Sequence, residues 1–462
     1  MVVRTIRHSY FFLGLDLSHI RLYNIRTLVR LSQKGADMQQ RQYLVIDQKS
    51  FYATVECVAR GLDPMKANLV VADPERSKNT ICLAVSPNMK ALGVKNRCRL
   101  GDIPPHIEHI VAPPRMQLYI DCAAGIHGVF LKFVAPEDIY TYSIDESFLD
   151  VTPYLKMYGM TAKELAKKII QEVRNVVGTV STCGIGTNMY LAKVALDICA
   201  KHADDFIAEL DENSYRDLLW DHKPLTDFWR IGPGTEKRLN SRGITTLRGI
   251  TMCNEDLLYR WFGKDAELLI DHAWGREPTT ITDIKAYKSK TKSLSSSQVL
   301  MKDYNFHDAE IIVKEMMYQL CLDMAAKKYV TDSVSVFVGY SLSQGVFGAS
   351  GTVSFSTETN VASTIVAEVS KLYRRIVDPS FAIRRIGLTC NDVQEDTDEF
   401  QLNMFDDVSQ QIRGKALQEA MLSIRSKYGK NSILKGVNFY DAATGRERNT
   451  QIGGHRGGTN EY

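Results

Sequence analysis

The chain has 462 residues, 44% of them apolar, enough for about three packed domains. A net charge of only +3 gives no whole-chain sign of a nucleic-acid partner, and no run of roughly 18 or more apolar residues is present to span a membrane. The nine cysteines are odd in number and scattered without a C-x-x-C pair, which points to a reducing cytosol and excludes a disulfide or zinc scaffold.

Residues 1–37 carry Arg4, Arg7, Arg21, Arg26 and Arg30, and reach Met38 just before a strand. Asp16 and the absence of a clean apolar core fit a targeting sequence poorly. Residues 1–40 are therefore read as an N-terminal extension, with translation expected to start at Met38. The apolar run Tyr43–Ile46 predicts a buried strand ending at Asp47. His106 and His109 lie in a Pro-rich stretch with no third metal ligand in view. Ile139–Ile144 and Phe148–Val151 predict two strands, joined by a tight hairpin with Asp145 and Glu146 at its tip. Ala162–Val177 predicts a helix with Leu165, Ile169, Val173 and Val176 on one face. Val180–Gly186 reads as a strand. Asn188–Lys201 reads as a helix with Leu191, Val194, Ala195 and Ile198 inward and Lys193 pointing away.

Residues 203–278 read as short helices. Among them, the Gly232-Pro233-Gly234 turn lets the next helix offer its first N–H groups, near Thr235 and Glu236, to an oxyanion. The basic, serine-containing stretch Asp283–Lys302 reads as a tether plus a strand. A helix near 308–327, strands near 333–341 and 349–356, a helix near 359–377 and a strand near 383–392 complete a β-α-β-β-α-β order. One of the adjacent Arg384 and Arg385 must face away from the core and can hold phosphates. An acidic stretch then leads to Gln401-Leu402-Asn403-Met404-Phe405. Residues 413–434 read as a helix, and the Gly-, Asn- and Arg-rich end after Gly445 as disordered. The fold class is α/β (α+β), multidomain.

An Asp-Glu dipeptide alone is ordinarily an acidic turn. Three carboxylates brought from distant strand ends are different, because close like charges raise one another's pKa. A divalent cation removes the conflict, and hard oxygen ligands suit Mg²⁺. Two such ions, about 3.5–4 Å apart, clamp the attacking and leaving oxygens of a phosphoryl transfer.

The segments YLVIDQKSFYATVEC (43–57), YSIDESFLDV (142–151) and GIGTNMYLAKVALDICAKH (184–202) resemble, in order, three motifs of the Y-family DNA polymerases. KALGVK (90–95) resembles the UmuC/ImpB/MucB/SamB-like branch, as found in Gram-positive bacteria. The resemblance covers roughly residues 43–435. It implies a right-hand polymerase: a ferredoxin-like palm (41–57 and 114–202), small fingers (58–113), a helix-hairpin-helix thumb (203–280), a little finger (281–392) and a tail (393–462). It implies Asp47, Asp145 and Glu146 as catalytic ligands of two Mg²⁺ ions, with the backbone of Gln48 as a further ligand. Ser50 and Phe51 would border the triphosphate, Tyr52 would be the steric gate against a 2′-hydroxyl, and Lys193 would pair with triphosphate oxygens. Many relatives hold the triphosphate with a Thr, a Tyr and an Arg where this chain has Ala84, Pro87 and Lys90. Either Ser86, Asn88 or backbone amides substitute, or nucleotide binding is weaker.

Gly232, Gly234, Thr235, Arg384 and Arg385 would contact the DNA backbone. Gln401, Leu402, Met404 and Phe405 resemble the peptide with which bacterial polymerases bind the sliding clamp. The implied function is error-prone translesion DNA-directed DNA synthesis from dNTPs in the cytoplasm, within DNA repair and SOS damage tolerance. The implied partners are primer-template DNA, the clamp and a UmuD-like or other accessory protein. Two other readings of the residues are a non-catalytic DNA-binding accessory factor and a nucleotidyl cyclase.

Overall fold

Strand β1 (Tyr43–Gln48) is apolar on both faces because both are covered. Leu44 and Ile46 face one core and Tyr43 and Val45 another, as the two-residue period of a strand requires. The computed structural model describes residues 40–289, 292–397 and 408–458. After β1 comes helix α1 (Phe51–Ala59). The chain then leaves for a three-stranded sheet of β2 (Leu69–Val71), β3 (Ala84–Val85) and β4 (Ile110–Ala112), which carries the short helix α2 (Pro87–Ala91). Helix α3 (Met116–Phe130) brings it back. Strands β5 (Ile139–Thr141), β6 (Glu146–Asp150), β7 (Ser181–Gly186) and β8 (Ile207–Leu210) complete a sheet in the order β5-β6-β1-β7-β8. Helices α3 and α4 (Ala162–Val177) cover the Leu44 face; α5 (Met189–Val194) covers the Val45 face.

Several expectations change. The strand expected to reach Ile144 stops at Thr141, because the amides of Tyr142 and Ser143 both donate to the Glu146 carbonyl and fold 142–145 into a turn. The next strand starts at Glu146 rather than Phe148. Val176 is exposed; Val177, one helical turn beyond Val173, continues the buried stripe. The sheet also runs past residue 202, since β8 pairs in parallel with β7 from Cys183↔Ile207 to Gly186↔Leu210.

Short helices between Glu212 and Ala273 close a separate core around Tyr215, Phe228, Leu239 and Leu247. Tyr190, Leu191 and Val194 of α5 belong to that same core, so α5 is buried on two sides. Its continuation, Ala195–Cys199, is a π-helical turn. Beyond the 292 boundary, strands β9 (Leu294–Tyr304), β10 (Tyr329–Tyr340), β11 (Gly348–Thr359) and β12 (Ile383–Asn391) pair in the order β11-β10-β12-β9. Helices α6 (Phe306–Ala326) and α7 (Ala362–Ile376) give the expected β-α-β-β-α-β order.

Helix α8 spans Val408–Tyr428, not 413–434, and ends where Gly429 turns to φ +91°. It packs on α6, with the Tyr318 hydroxyl 2.8 Å from Met421 Sδ and Arg425 Nη1 donating to Gln319 Oε1 at 2.9 Å.

The end read as disordered is built. The Thr444 and Gly445 amides donate to the Glu315 carboxylate, and Arg448 Nη1 donates to Gln298 Oε1 at 2.9 Å. A hairpin follows, β13 (Gln451–Ile452) and β14 (His455–Arg456), turned by Gly453 and Gly454 at positive φ. Arg456 Nε reaches Asp73 Oδ2 at 3.0 Å, and Arg76 Nη2 donates to the Gly454 carbonyl. The glycines are turn residues and the arginines anchors, so residues 451–456 strap the C-terminal domain to the small sheet.

Candidate active site

Asp47 and Glu146 are register partners on β1 and β6, which puts both side chains on the face covered by α5. Asp145 lies just before β6; its carbonyl accepts from the Gln48 amide at 3.0 Å, and its carboxylate from Ser143 Oγ at 2.5 Å. Gln48 points to the opposite face, where its Oε1 accepts from Thr179 and Ser181. Its carbonyl group, not its side chain, is therefore the part available to the acid cluster.

Burial, with Asp145 and Glu146 close by, pushes the Asp47 carboxyl up to about 7. Burial also raises Glu146, against the pull of Lys193. Glu146 Oε1 is buried with no hydrogen-bond partner. A buried carboxylate oxygen left unpaired is costly, and a hard cation is the group that this donor set would satisfy. Among the described residues no three His, Cys, Asp or Glu side chains already form a closed cation cluster. Lys193 donates to Glu146 Oε2 at 2.7 Å, and Ser143 Oγ donates to Asp145 Oδ1 at 2.5 Å.

Lys193 points away from the stripe of Leu191, Val194 and Ala195, into the acid cluster and not into solvent. It is 7% exposed, and its ammonium also meets Asp197 at 3.1 Å. Burial opposes its charge, but Glu146 and Asp197 outweigh that and raise its pKa. Reading α5 from one apolar stripe overlooked its second face, where Met189, Ala192 and Leu196 lie on the sheet. Two glycines permit that contact. A Cβ on Gly184 would overlap the Ala192 carbonyl and come within 2.8 Å of Leu196 Cβ, and one on Gly186 would sit 2.8 Å from Ala192 Cα.

Two residues not singled out from the sequence join the site. Lys201 pairs with Asp197 at 3.0 Å beyond the π-helical turn and lowers the pKa of Asp47. Lys49, in the turn just after β1, feels the charge of Asp47, and its Nζ sits 3.7 Å from the centroid of the Phe206 ring. Burial lowers the pKa of Lys49, and Lys90 and Lys201 lower it further; Lys90 is itself lowered by burial and by Lys201. The Lys49, Lys90 and Lys201 ammonium groups, from three segments, thus all interact with the charge of Asp47. Lys49 follows Asp47 by two in the first motif, and Lys201 lies two helical turns after Lys193; those spacings were the available signals.

Ser86 and Asn88 are spent on structure: Ser86 Oγ donates to the Ala67 carbonyl at 2.8 Å, and Asn88 Nδ2 donates to Lys66 and Asn68. Ser50 caps α1 in the left-handed region at φ 51°, unusual for a residue with a Cβ. Phe51 is buried behind it. Tyr52 is half buried, its ring stacked on Tyr119 with centroids 4.5 Å apart.

The remaining predicted residues lie elsewhere. Gly232 and Gly234 open the helix Pro233–Asn240, which includes Thr235; a Cβ on either glycine would meet nothing within 4 Å, so that backbone is open to a ligand. Trp229 ties this region to the acid hairpin through Tyr142 and Phe148. A bulge between Ile383 and Arg385 keeps Ile383 and Ile386 inward and both arginines outward, not one of the two. Arg384 pairs with Asp303 at 3.4 Å, while Arg385 is exposed beside Phe337. Gln401, Leu402, Met404 and Phe405 lie outside the described residues. No helix among the described residues is long and apolar enough to cross a membrane.

Comparison with known proteins agrees with this layout. The impB/mucB/samB family model matches residues 46–197, and the C-terminal domain of that family matches 291–404. A Bacillus subtilis protein named "Putative UV-damage repair protein UvrX" is 31% identical, over 90% of this chain and 98% of the relative. DNA polymerase IV 2 of the same organism is 28% identical, over 90% of this chain and 99% of its own. A solved Y-family DNA polymerase chimera of Dbh and Dpo4 superposes with a TM-score of 0.60 at 22% identity, covering 77% of this chain and 99% of the chimera. The chain belongs to the impB/mucB/samB family, the UmuC-type Y-family polymerases.

Proposed function

We propose that this chain is an error-prone translesion DNA-directed DNA polymerase that extends a primer on damaged template with deoxynucleoside triphosphates. The observation that carries the reading is the shared face of Asp47 and Glu146, with Asp145 at its edge and Lys49, Lys90 and Lys201 interacting with the charge of Asp47. Acids and ammonium groups side by side suit a polyanion that arrives with divalent metal.

The primer 3′-oxygen attacks the α-phosphorus of the nucleotide, the bond to the bridging oxygen breaks and pyrophosphate leaves. Two Mg²⁺ ions held by Asp47, Asp145, Glu146 and the Gln48 carbonyl would supply Lewis-acid stabilisation of the attacking and leaving oxygens. Lys90 and Lys201 neutralise the triphosphate tail, and Tyr52 closes the space below the sugar. Lys193 acts differently: it holds Glu146 and Asp197, so Lys201 takes the phosphate role expected of Lys193. Gly232, Gly234, Thr235 and Arg385 position the duplex by its phosphates. Primer extension on an undamaged primer-template with Mg²⁺ tests the whole reading; purified protein that binds the DNA but never extends it removes the reading.

Lys201→Ala should raise KM for the nucleotide at least about tenfold, because one charge-assisted phosphate contact is lost. Lys193→Ala should instead lower kcat and thermal stability, since it leaves buried Glu146 unpaired. The reverse pattern would return the phosphate role to Lys193. The pentapeptide 401–405 is assigned to the sliding clamp in the cytoplasm. A Leu402→Ala/Phe405→Ala variant should lose stimulation by clamp and keep distributive synthesis; retained stimulation would rule out the assignment.

A further inference from the structure

Behind the gate position runs a continuous line of contacts that ends at Gly457 and Gly458. The Tyr52 ring lies on Tyr119 with an interplanar angle of 18°. Tyr119, on α3, is fully buried, and its hydroxyl donates to Glu56 Oε1 at 2.7 Å. Glu56 sits one helical turn after Tyr52 on α1, also fully buried. Arg115 grips its carboxylate with Nε at 3.0 Å and Nη2 at 2.7 Å, and Arg60 adds a further ion pair. A buried carboxylate persists only when its oxygens are fully engaged, so these partners fix the Glu56 side chain and, through it, Tyr119.

Arg115, just before α3, is in turn covered by the end of the chain. The Gln117 amide donates to the Gly457 carbonyl at 2.9 Å. Gly458, at φ +75°, lies so close to Arg115 that a Cβ there would come within 2.9 Å of the Arg115 Cα. Arg456, two residues earlier, is pinned to Asp73.

We infer that Tyr119 is a positioning residue for sugar selection: it fixes the Tyr52 ring, and the C-terminal segment braces it through Arg115 and Glu56. This rests on the gate reading of Tyr52. A gate excludes one hydroxyl by contact, so a ring free to shift by a fraction of an ångström admits it. An aromatic partner at 119 denies that freedom, and the tail holds the partner's own anchor in place. The strap thus links nucleotide selection to residues 456–458.

The test measures kcat/KM for a deoxynucleotide and the matching ribonucleotide in single-nucleotide insertion by the full-length protein. Tyr119→Leu removes the stack and should cut the deoxy-to-ribo preference about tenfold, chiefly through ribonucleotide KM. Tyr119→Phe keeps the stack but loses the hydroxyl's bond to Glu56, so its preference should fall between those of wild type and Tyr119→Leu, and a wild-type preference would disconnect the tail from the gate. Gly458→Val, far from the acids, displaces the tail and should lower the preference several-fold even if Tyr119→Leu folds poorly. A merely weakened palm would lower insertion of both sugars and leave the ratio unchanged. Tyr52→Ala is run alongside. If it loses the preference while active Tyr119→Leu and Gly458→Val keep it, the brace is wrong; if active Tyr52→Ala keeps it, the gate reading fails and the brace with it.

Discussion

Primer extension by an Asp145→Ala/Glu146→Ala variant is expected to fall by on the order of 10³-fold or more, with primer-template binding retained. Glu146 opens β6 opposite Asp47, and Asp145 lies just before it. Removing them leaves the sheet pairing intact and takes away most of the hard oxygen donors of the cleft. Equal extension by wild type and variant would mean a contaminating polymerase or a different site. Asp47 adds a pH signature. Its carboxyl titrates at about 7 in the fold and at 3.8 when unperturbed. Between those values the folded chain keeps a proton that the unfolded chain has lost. The stability linked to this group is therefore fully present below the lower value and is lost as pH rises through the upper one. Cation binding requires the proton to leave, so Mg²⁺ affinity should strengthen roughly tenfold per pH unit up to about 7 and then level off. Titration calorimetry at three pH values checks it; an affinity flat across that range would remove Asp47 from the ligands.

The parts of this molecule legible in the sequence are those set by local pattern. The buried run of β1 ending at Asp47, the stripe of α4 and the β-α-β-β-α-β order all follow from spacing. What escaped depends on contacts between distant segments. One stripe accounts for α5 in the sequence and leaves Lys193 off it, whereas the helix is clasped between the sheet and the core around Tyr215, so the face of Lys193 is buried too. The π-helical turn at Ala195–Cys199 shifts the helical phase before Lys201, and no residue there announces it. The hairpin at 451–456 looked disordered by composition, yet its anchors are Asp73 and Arg115, more than three hundred residues earlier. Family motifs marked the acids; they did not mark Tyr119 or Lys49, whose roles come from what they touch.

Gly184→Ala is expected to cost about 3 kcal/mol or more and to lower the melting temperature by several degrees, although only one methyl group is added. The methyl would enter the backbone of α5 at the Ala192 carbonyl and the Leu196 amide. A flexible side chain could move aside, but these are main-chain atoms of a helix held on its other face by Tyr190, Leu191 and Val194. Strand β7 has no room to retreat either, being paired to β1 on one side and β8 on the other. Relief must come from lifting α5 off the sheet. Lifting α5 draws Lys193 from Glu146, so activity should fall further than the fraction unfolded accounts for. Gly128→Ala is the control: it lies within α3, where a Cβ meets nothing within 4 Å, and should be neutral or stabilising by up to about 1 kcal/mol. Thermal melts of the two variants beside wild type decide the matter. If Gly184→Ala melts with wild type, α5 does not lie this close to the sheet, and the buried contact between Lys193 and Glu146 loses its structural basis.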